Sequence, residues 1–314
     1  MMRTTAFILA ATIICIGPAS GARFDANDIR FENLTGTVEI AANTGDELEV
    51  IIRQGKDYRP VRVSVADGVV TVAGEIWRED LVDDCCNSRI RREFHPRKGR
   101  KMSKSAPFDE GFFEDFPTIL VTMPRAGDVS FIDARVKLSM ESINGSLSLD
   151  ACYVYGEAGD ADEAVIGVVA GSRLVMGDIA AGLEIDVSGD ADVMTGDAAM
   201  ADINIAGAGD VMIGDIDGML DVSIAGSGLL RAARLDGPLT ARIAGSGAVA
   251  VQAGRADSLR AVIDGSGGVL FEGEAVRPDL RLSTSAEVRL GSVSGRLKRA
   301  GGGDVYVGGD LVER

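Results

Sequence analysis

The sequence predicts an all-β fold, a single-stranded parallel β-helix of about 18–20 residues per coil, and three observations carry that reading. First, from about residue 167 a nine-residue phrase recurs every 17 to 20 residues: GVVAGSRLV (167–175), IDVSGDADV (185–193), INIAGAGDV (203–211), VSIAGSGLL (222–230), ARIAGSGAV (241–249), AVIDGSGGV (261–269), LRLSTSAEV (280–288) and LKRAGGGDV (297–305). A fixed period of this size marks a solenoid, whose repeats bury their apolar sides only against one another. Second, the phrase alternates with period two. Its first and third positions are mostly apolar (Ile185 and Val187, Ile203 and Ile205, Val222 and Ile224, Ala241 and Ile243), and its second is mostly polar (Asp186, Asn204, Ser223, Arg242, Arg281, Lys298). One set therefore points inward and the other into solvent. Third, seven of the eight copies carry glycine at the fifth position (Gly171, Gly189, Gly207, Gly226, Gly245, Gly265, Gly301), with Thr284 the exception. Glycine there permits the positive φ of a tight corner. Val or Leu at the ninth position, from Val175 to Val305, turns the chain back into the core.

So short a period holds two or three strands but no crossover helix. Equivalent positions must stack as parallel strands about 4.8 Å apart, and eight coils give a rod roughly 35–40 Å long. In the last copy the inward third position becomes Arg299. A polar residue where the ladder ends keeps the terminal coil from stacking onto another molecule.

In chain order, residues 1–22 read as a secretory signal: Arg3 supplies the positive start, 6–17 the apolar stretch, and Ser20-Gly21-Ala22 the cleavage site. The apolar run is short for a bilayer span, so cleavage is expected rather than an uncleaved anchor. Ile14 before Cys15 argues against lipidation. Residues 23–80 hold N-terminal strands or first coils: TGTVEIAA (35–42), ELEVIIRQ (47–54) and VRVSVADGVVTVAGEI (61–76), the last broken by Asp67-Gly68 as in a hairpin or successive coils. Residues 81–116 form a charged insertion, in which a basic stretch precedes the acidic, Phe-rich DEGFFEDF (109–116). Residues 117–314 form the β-helix proper, with SINGSLSL (142–149) a loose early copy of the phrase. No segment after the signal is long and apolar enough for a membrane helix, and DVYVGGDLVER (304–314) carries no outer-membrane barrel signature.

The net charge of −16 becomes −17 without the signal, whose one charged residue is Arg3. That acidity excludes a nucleic-acid-wrapping role. Export permits disulfides. Cys85, Cys86 and Cys152 admit one bridge, from Cys152 to either member of the vicinal pair, with one thiol left over. His95 is the sole histidine, which leaves these cysteines without the second ligand pair of a zinc site.

Several patterns resemble chemistry and read better as architecture. The Gly-rich phrases precede neither a helix-forming run nor Gly-Lys-Ser/Thr, so corner glycine is preferred to phosphate binding and no cofactor is expected. Asp192 with Asp210, and Asp197 with Asp215, recur 18 residues apart. Stacked carboxylates could hold calcium, but solvated loop carboxylates are the simpler reading. Ser227, Ser246, Ser266 and Ser285 share the sixth position with no histidine in the repeat to activate them, which fits a polar ladder better than nucleophiles. A β-helix polysaccharide lyase or hydrolase needs converging carboxylates, whereas the acidic residues look scattered along the chain and Trp77 is the one Trp. The candidate site is instead the basic stretch: Arg89, Arg91, Arg92, Arg97, Lys98, Arg100, Lys101 and Lys104. These would meet lipopolysaccharide, phospholipid headgroups or cell-wall polymers. The competing reading is a loop lying on the protein's own acidic surface.

The Ile-Ala-Gly-Ser-Gly coils (224–228, 243–247) and the Val-Thr-Met-Pro segment (121–124) resemble the bacterial auto-transporter adhesin head, or GIN-domain, family of exported adhesins. The resemblance covers roughly residues 30–314, interrupted by 81–116, a basic insertion foreign to the family pattern; no translocator is attached. It implies a right-handed β-helix at the cell envelope and carries over no catalytic residue. The expectation is a non-enzymatic, exported surface-display module in the periplasm, on the cell surface or outside the cell, whose partner is an envelope component or another copy of itself. The alternatives are an envelope carbohydrate-active enzyme and an anionic lipid- or polymer-binding protein using 89–104.

Overall fold

The structure is a computed structural model that describes residues 12–14, 20–56, 61–74, 112–169 and 171–313. Among the described residues the chain is almost entirely β, the one helical element being a 3-10 turn at Phe112–Asp115. Parallel strands stack into a β-solenoid of about nine turns.

Each regular coil has three faces. Face A is the first half of the phrase and its approach, as in Ala198–Gly207, Leu220–Gly226, Leu239–Gly245 and Leu259–Gly265. Face B begins after the corner glycine, as in Asp210–Ile216, Leu229–Asp236 and Gly268–Ala275. The ends of those strands, with Gly254–Ala256, form a short face C. Register follows the glycines: Gly189 lies beside Gly207, then Gly226, Gly245 and Gly265. All seven corner glycines have positive φ, from 78° at Gly171 to 137° at Gly207. Two earlier coils turn the same corner with Asn33 (φ 50°) and Asp133 (φ 52°), the residue types that tolerate left-handed backbone best after glycine.

One coil illustrates the packing. Leu220, Val222 and Ile224 of face A, Leu230 and Ala232 of face B, and Leu235 of face C are each 2% exposed or less. Burying side chains of this size stabilises by roughly 1.5–3 kcal/mol each, and their stacking gives one continuous core. Near the N-terminal end the column turns aromatic: Phe31 and Phe131 stack at 4.6 Å.

The first coils do not stack in chain order. Asp28–Glu32 and Thr35–Asn43 form a coil that lies between Val69–Ala73 with Thr118–Pro124 on one side and Val129–Met140 on the other. Antiparallel strands then close that end. Arg62–Ala66 pairs with Val69–Ala73 as a hairpin, and its two central residues, Asp67 and Gly68, have φ of 52° and 79°. That is the primed turn for which Asp-Gly is suited, and it settles the hairpin-or-coil alternative. Leu48–Arg53 runs antiparallel to Thr118–Pro124, with Ser20–Phe24 outside it. Thr12–Ile14 adds a strand beside Arg62–Ala66; it falls in the segment read as a signal.

At the other end, Gly308 and Gly309 (φ 59° and 92°) fold Asp310–Leu311 back against Asp304–Val307. Arg299 donates from Nη1 to the Val312 carbonyl at 2.9 Å and from Nη2 to the Gly303 carbonyl. The arginine read as a ladder-ending residue thus also ties down the C-terminal hairpin.

Two copies of the phrase sit out of the register that their letters suggest. In the first, Ile166 and Val168 rather than Gly167 and Val169 stand beside Ile185 and Val187, and Leu174 rather than Val175 fills the core. In the last, Gly301 pairs with Leu282 and Arg299 with Leu280, a slip of two residues. A slip of two preserves which side faces inward; a slip of one does not. The first copy avoids inversion because its inward alternation runs from Ala164 through Ile166 to Val168, one residue before the phrase suggests.

Candidate functional site

The outward side of face A carries the most organised polar surface among the described residues. Two neighbouring ladders run up it. In one, Glu184, Asp202, Asp221, Thr240, Arg260, Asp279 and Lys298 stand in register; in the other, Asp186, Asn204, Ser223, Arg242, Val262 and Arg281 do. Period two makes both ladders face solvent, because the intervening residues fill the core. Next to them the fourth position of the phrase supplies Ala206, Ala225 and Ala244, all exposed and small. Their low relief leaves a shallow trough of about 780 Å³ spanning the coils from Asp186 to Arg281.

Charge is unevenly distributed along this face. Glu184, Asp186, Asp202 and Asp221 make its N-terminal half wholly acidic, whereas all the arginines, Arg242, Arg260 and Arg281, lie in the C-terminal half, interspersed with Asp264 and Asp279. The halves meet where Arg242 Nη1 contacts Asp221 Oδ1 at 2.6 Å. Neither Arg260 nor Arg281 has an ion-pair partner among the described residues. Crowding has an electrostatic consequence. Desolvation by the stacked coils, then the Asp221 and Asp186 carboxylates, push the Asp202 carboxyl above its ordinary range, while Arg242 and the Asn204 amide pull the other way. The acidic residues that look scattered in the sequence therefore converge: a period of 18 to 19 residues turns distant positions into neighbours.

The stacked aspartates have a structural explanation. Asp178 N–H donates to Asp160 Oδ1 at 2.9 Å, Asp197 N–H to Asp178 Oδ1 at 2.9 Å, and Asp215 N–H to Asp197 Oδ1 at 2.7 Å. Each carboxylate thus satisfies a backbone donor of the next coil. Glycine must precede each aspartate here: a Cβ on Gly177, Gly196 or Gly214 would land on the carboxylate below it. Asp192 and Asp210 are in register on face B, where Asp210 also reaches Arg231 at 4.0 Å. No group of three or more potential metal ligands occurs among the described residues. Ser227, Ser246, Ser266 and Ser285 are all exposed at the corner between faces A and B.

Arg89, Arg91, Arg92, Arg97, Lys98, Arg100, Lys101 and Lys104 lie outside the described residues, as do Cys85 and Cys86. Cys152 is disulfide-bonded to a partner that also lies outside them. Beside it, Tyr153 stacks on Phe113 (6.1 Å), which touches Phe116 (6.4 Å). The Phe-rich end of the insertion is therefore anchored to the corner between faces A and B. No helix among the described residues is long and apolar enough to cross a membrane.

No family model matches the chain, and no curated protein does. Among solved structures it is similar to a putative adhesin of Parabacteroides distasonis ATCC 8503, at 16% identity over 93% of this chain and 98% of that one, with a TM-score of 0.37. It is similar also to a putative adhesin of Parabacteroides merdae ATCC 43184, at 13% identity over 93% and 96% of the two chains, again at 0.37. A putative adhesin of Bacteroides fragilis NCTC 9343 aligns at 13% identity over 93% and 98%, at 0.20. Superpositions this loose carry no functional inference.

Proposed function

We propose that this chain is an exported, non-enzymatic β-solenoid of the adhesin-head, GIN-domain kind, which displays face A as an attachment surface at the cell envelope. One observation carries the reading: the trough is open, shallow and spread over six coils, with charged ladders repeating at the strand spacing along it. A surface of this form suits a large or repetitive partner better than a small substrate, which calls for a concave, mostly enclosed pocket. Its mechanism is complementarity of shape and charge, with no bond made or broken. The basic residues between Arg89 and Lys104 supply a second docking element for anionic envelope polymers or lipid headgroups. The net charge of −16 leaves nucleic acid outside the set of partners.

Cosedimentation of the exported chain with purified envelopes, at low and high salt, tests this reading. Binding that salt weakens, and that changing the eight basic residues of 89–104 to Gln or neutralising the ladder arginines reduces, is expected. Absence of binding at either salt would refute attachment.

A second reading has its own observation. Asp202, its carboxyl pushed upward by desolvation and then by Asp221 and Asp186, with Arg242 pulling the other way, has the character of an acid or base in a glycan-cleaving site. A depolymerisation screen with envelope polysaccharides separates the two: turnover abolished by Asp202→Asn would replace the display reading with an enzymatic one.

A further inference from the structure

We propose that face A pairs with face A of a second copy of this chain, the two solenoids lying antiparallel about a two-fold axis along the strands, between the coils of Asp221 and Thr240. The inference rests on reading face A as the binding surface and names what covers it.

Charge complementarity favours this pairing. Glu163, Glu184, Asp186 and Asp202 fall on one side of that axis; Arg242, Arg260, Arg281, Arg296 and Lys298 fall on the other, where they outnumber the carboxylates Asp264, which lands opposite Ala206, and Asp279. Rotation about the strand direction reverses the solenoid axis but leaves each ladder facing its own counterpart. Counting coils outward from the axis, Asp202 lands opposite Arg260 of the second copy and Asp186 opposite its Arg281. On the ladder nearest face C, Glu163 lands opposite Arg296, and exposed Met219 meets Pro238. One like-charged juxtaposition results, Glu184 with Asp279, and Arg277 and Arg281 of the second copy flank it. Because the interface is isologous, every favourable pair occurs twice. Arg260 and Arg281 are thereby supplied with the carboxylate partners they lack among the described residues.

The shape and extent of the face favour it too. Ala206, Ala225 and Ala244 keep the middle of the face low, and across the axis Ala225 meets Ala244. Two sheets can then approach to about 10 Å. Seven-residue strands over eight coils, from Glu163 to Lys298, give a face of about 23 Å by 34 Å. That is close to the ~800 Å² per partner of a standard stable interface.

The test is sedimentation velocity of the exported chain across a concentration series at low and high salt. A dimer that salt loosens is expected. Arg260→Glu or Asp202→Arg alone should raise the dimer dissociation constant at least about tenfold, and the double variant Asp202→Arg/Arg260→Glu should restore it, because the pair is rebuilt with its signs exchanged. A chain that stays monomeric at high micromolar concentration and low salt overturns the proposal. So does a dimer that neither reversal weakens, or a double variant no tighter than the single ones. Envelope cosedimentation of the same variants keeps the two readings apart: a monomer that still binds envelopes refutes the dimer and leaves attachment standing.

Discussion

Substituting Gly226 by Ala tests the corner ladder on which the solenoid rests. Gly226 has φ of 133°, a conformation L-residues rarely adopt, and an added Cβ would lie on the carbonyl oxygen of Gly207 in the coil below. Forcing a Cβ-bearing residue into such backbone costs about 1–3 kcal/mol, and relieving the overlap costs a further ~1–3 kcal/mol. The neighbour is backbone, itself a corner glycine paired in register, so it cannot swing aside as a side chain would. A total near 3 kcal/mol is expected. With a urea m-value of about 3 kcal/mol/M, the unfolding midpoint falls by roughly 1 M. Gly182→Ala is the matched control, because a Cβ there meets nothing within 4 Å and no positive φ is required; that change should be neutral or stabilise by ~0.4–1 kcal/mol. Urea denaturation followed by circular dichroism reads both. If Gly226→Ala and Gly182→Ala unfold at the same urea concentration, the corner glycines are not required by conformation and the account of the repeat fails.

The same substitution at Gly301, in the last coil, should cost less global stability, since a terminal coil frays without unfolding its neighbours; hydrogen exchange should show the loss confined to residues after 280. Asp178→Ala removes the acceptor of the Asp197 N–H and should destabilise by about 1 kcal/mol, whereas Asp178→Asn keeps a carbonyl oxygen there and should cost less, both read by urea midpoint. Asp202 titrates in the direction opposite to most folded carboxylates. Because desolvation and then Asp221 and Asp186 raise it, the folded chain holds that proton more tightly than the unfolded one. Its contribution to stability therefore falls as pH rises from the ordinary value of about 4 through the raised folded one. NMR titration should place Asp202 above that ordinary value, Arg242→Gln should raise it further, and Asp202→Asn should flatten this part of the pH–stability profile. Finally, the exported chain should titrate one free thiol before reduction and three after, because Cys152 is bridged and the chain beyond residue 22 has three cysteines.

What could be read from the sequence divides along a physical line. Inward positions repeat because each must fill the same slot in a stacked core, so Val222, Ile224 and Leu230 announced themselves by periodicity alone. The corner glycines did so too, since one backbone conformation admits little else. Register was harder. The first and last copies of the phrase look aligned by letter, yet backbone pairing shifts them by one and two residues; similarity of residue type does not measure the length of the preceding corner. Asp197 and Asp215 were visible as a spacing but not as a reason, and Asp160 and Asp178 of the same ladder went unread. The reason, a carboxylate capping the next coil's N–H where a Cβ would otherwise sit, needs three dimensions. The non-sequential stacking of the first coils left no periodic trace, because Val69–Ala73 and Thr118–Pro124 belong to one coil across an interruption of more than forty residues.

The charged face was missed for a related reason, and that reason bears on function. Outward positions of the phrase are the ones that packing leaves free: a solvated residue between Val222 and Ile224 satisfies the fold whether it is Ser, Asp or Arg. Nothing in the stacking requires Asp202 and Asp221 to precede Arg242 and Arg260, and interleaved signs would serve solubility and the self-energy of the surface better. The acidic half instead crowds carboxylates one strand spacing apart, which adds to desolvation in raising Asp202, and Arg260 and Arg281 are left without an ion-pair partner among the described residues. An arrangement that costs the isolated molecule electrostatic energy is accounted for when something outside the molecule recovers it. A neutral or uniformly charged partner would recover only half of it, whereas an antiparallel copy of the same face meets both halves at once. The charge order along the axis thus favours self-pairing over any single-sign ligand, and the paired charge-reversal experiment decides between them.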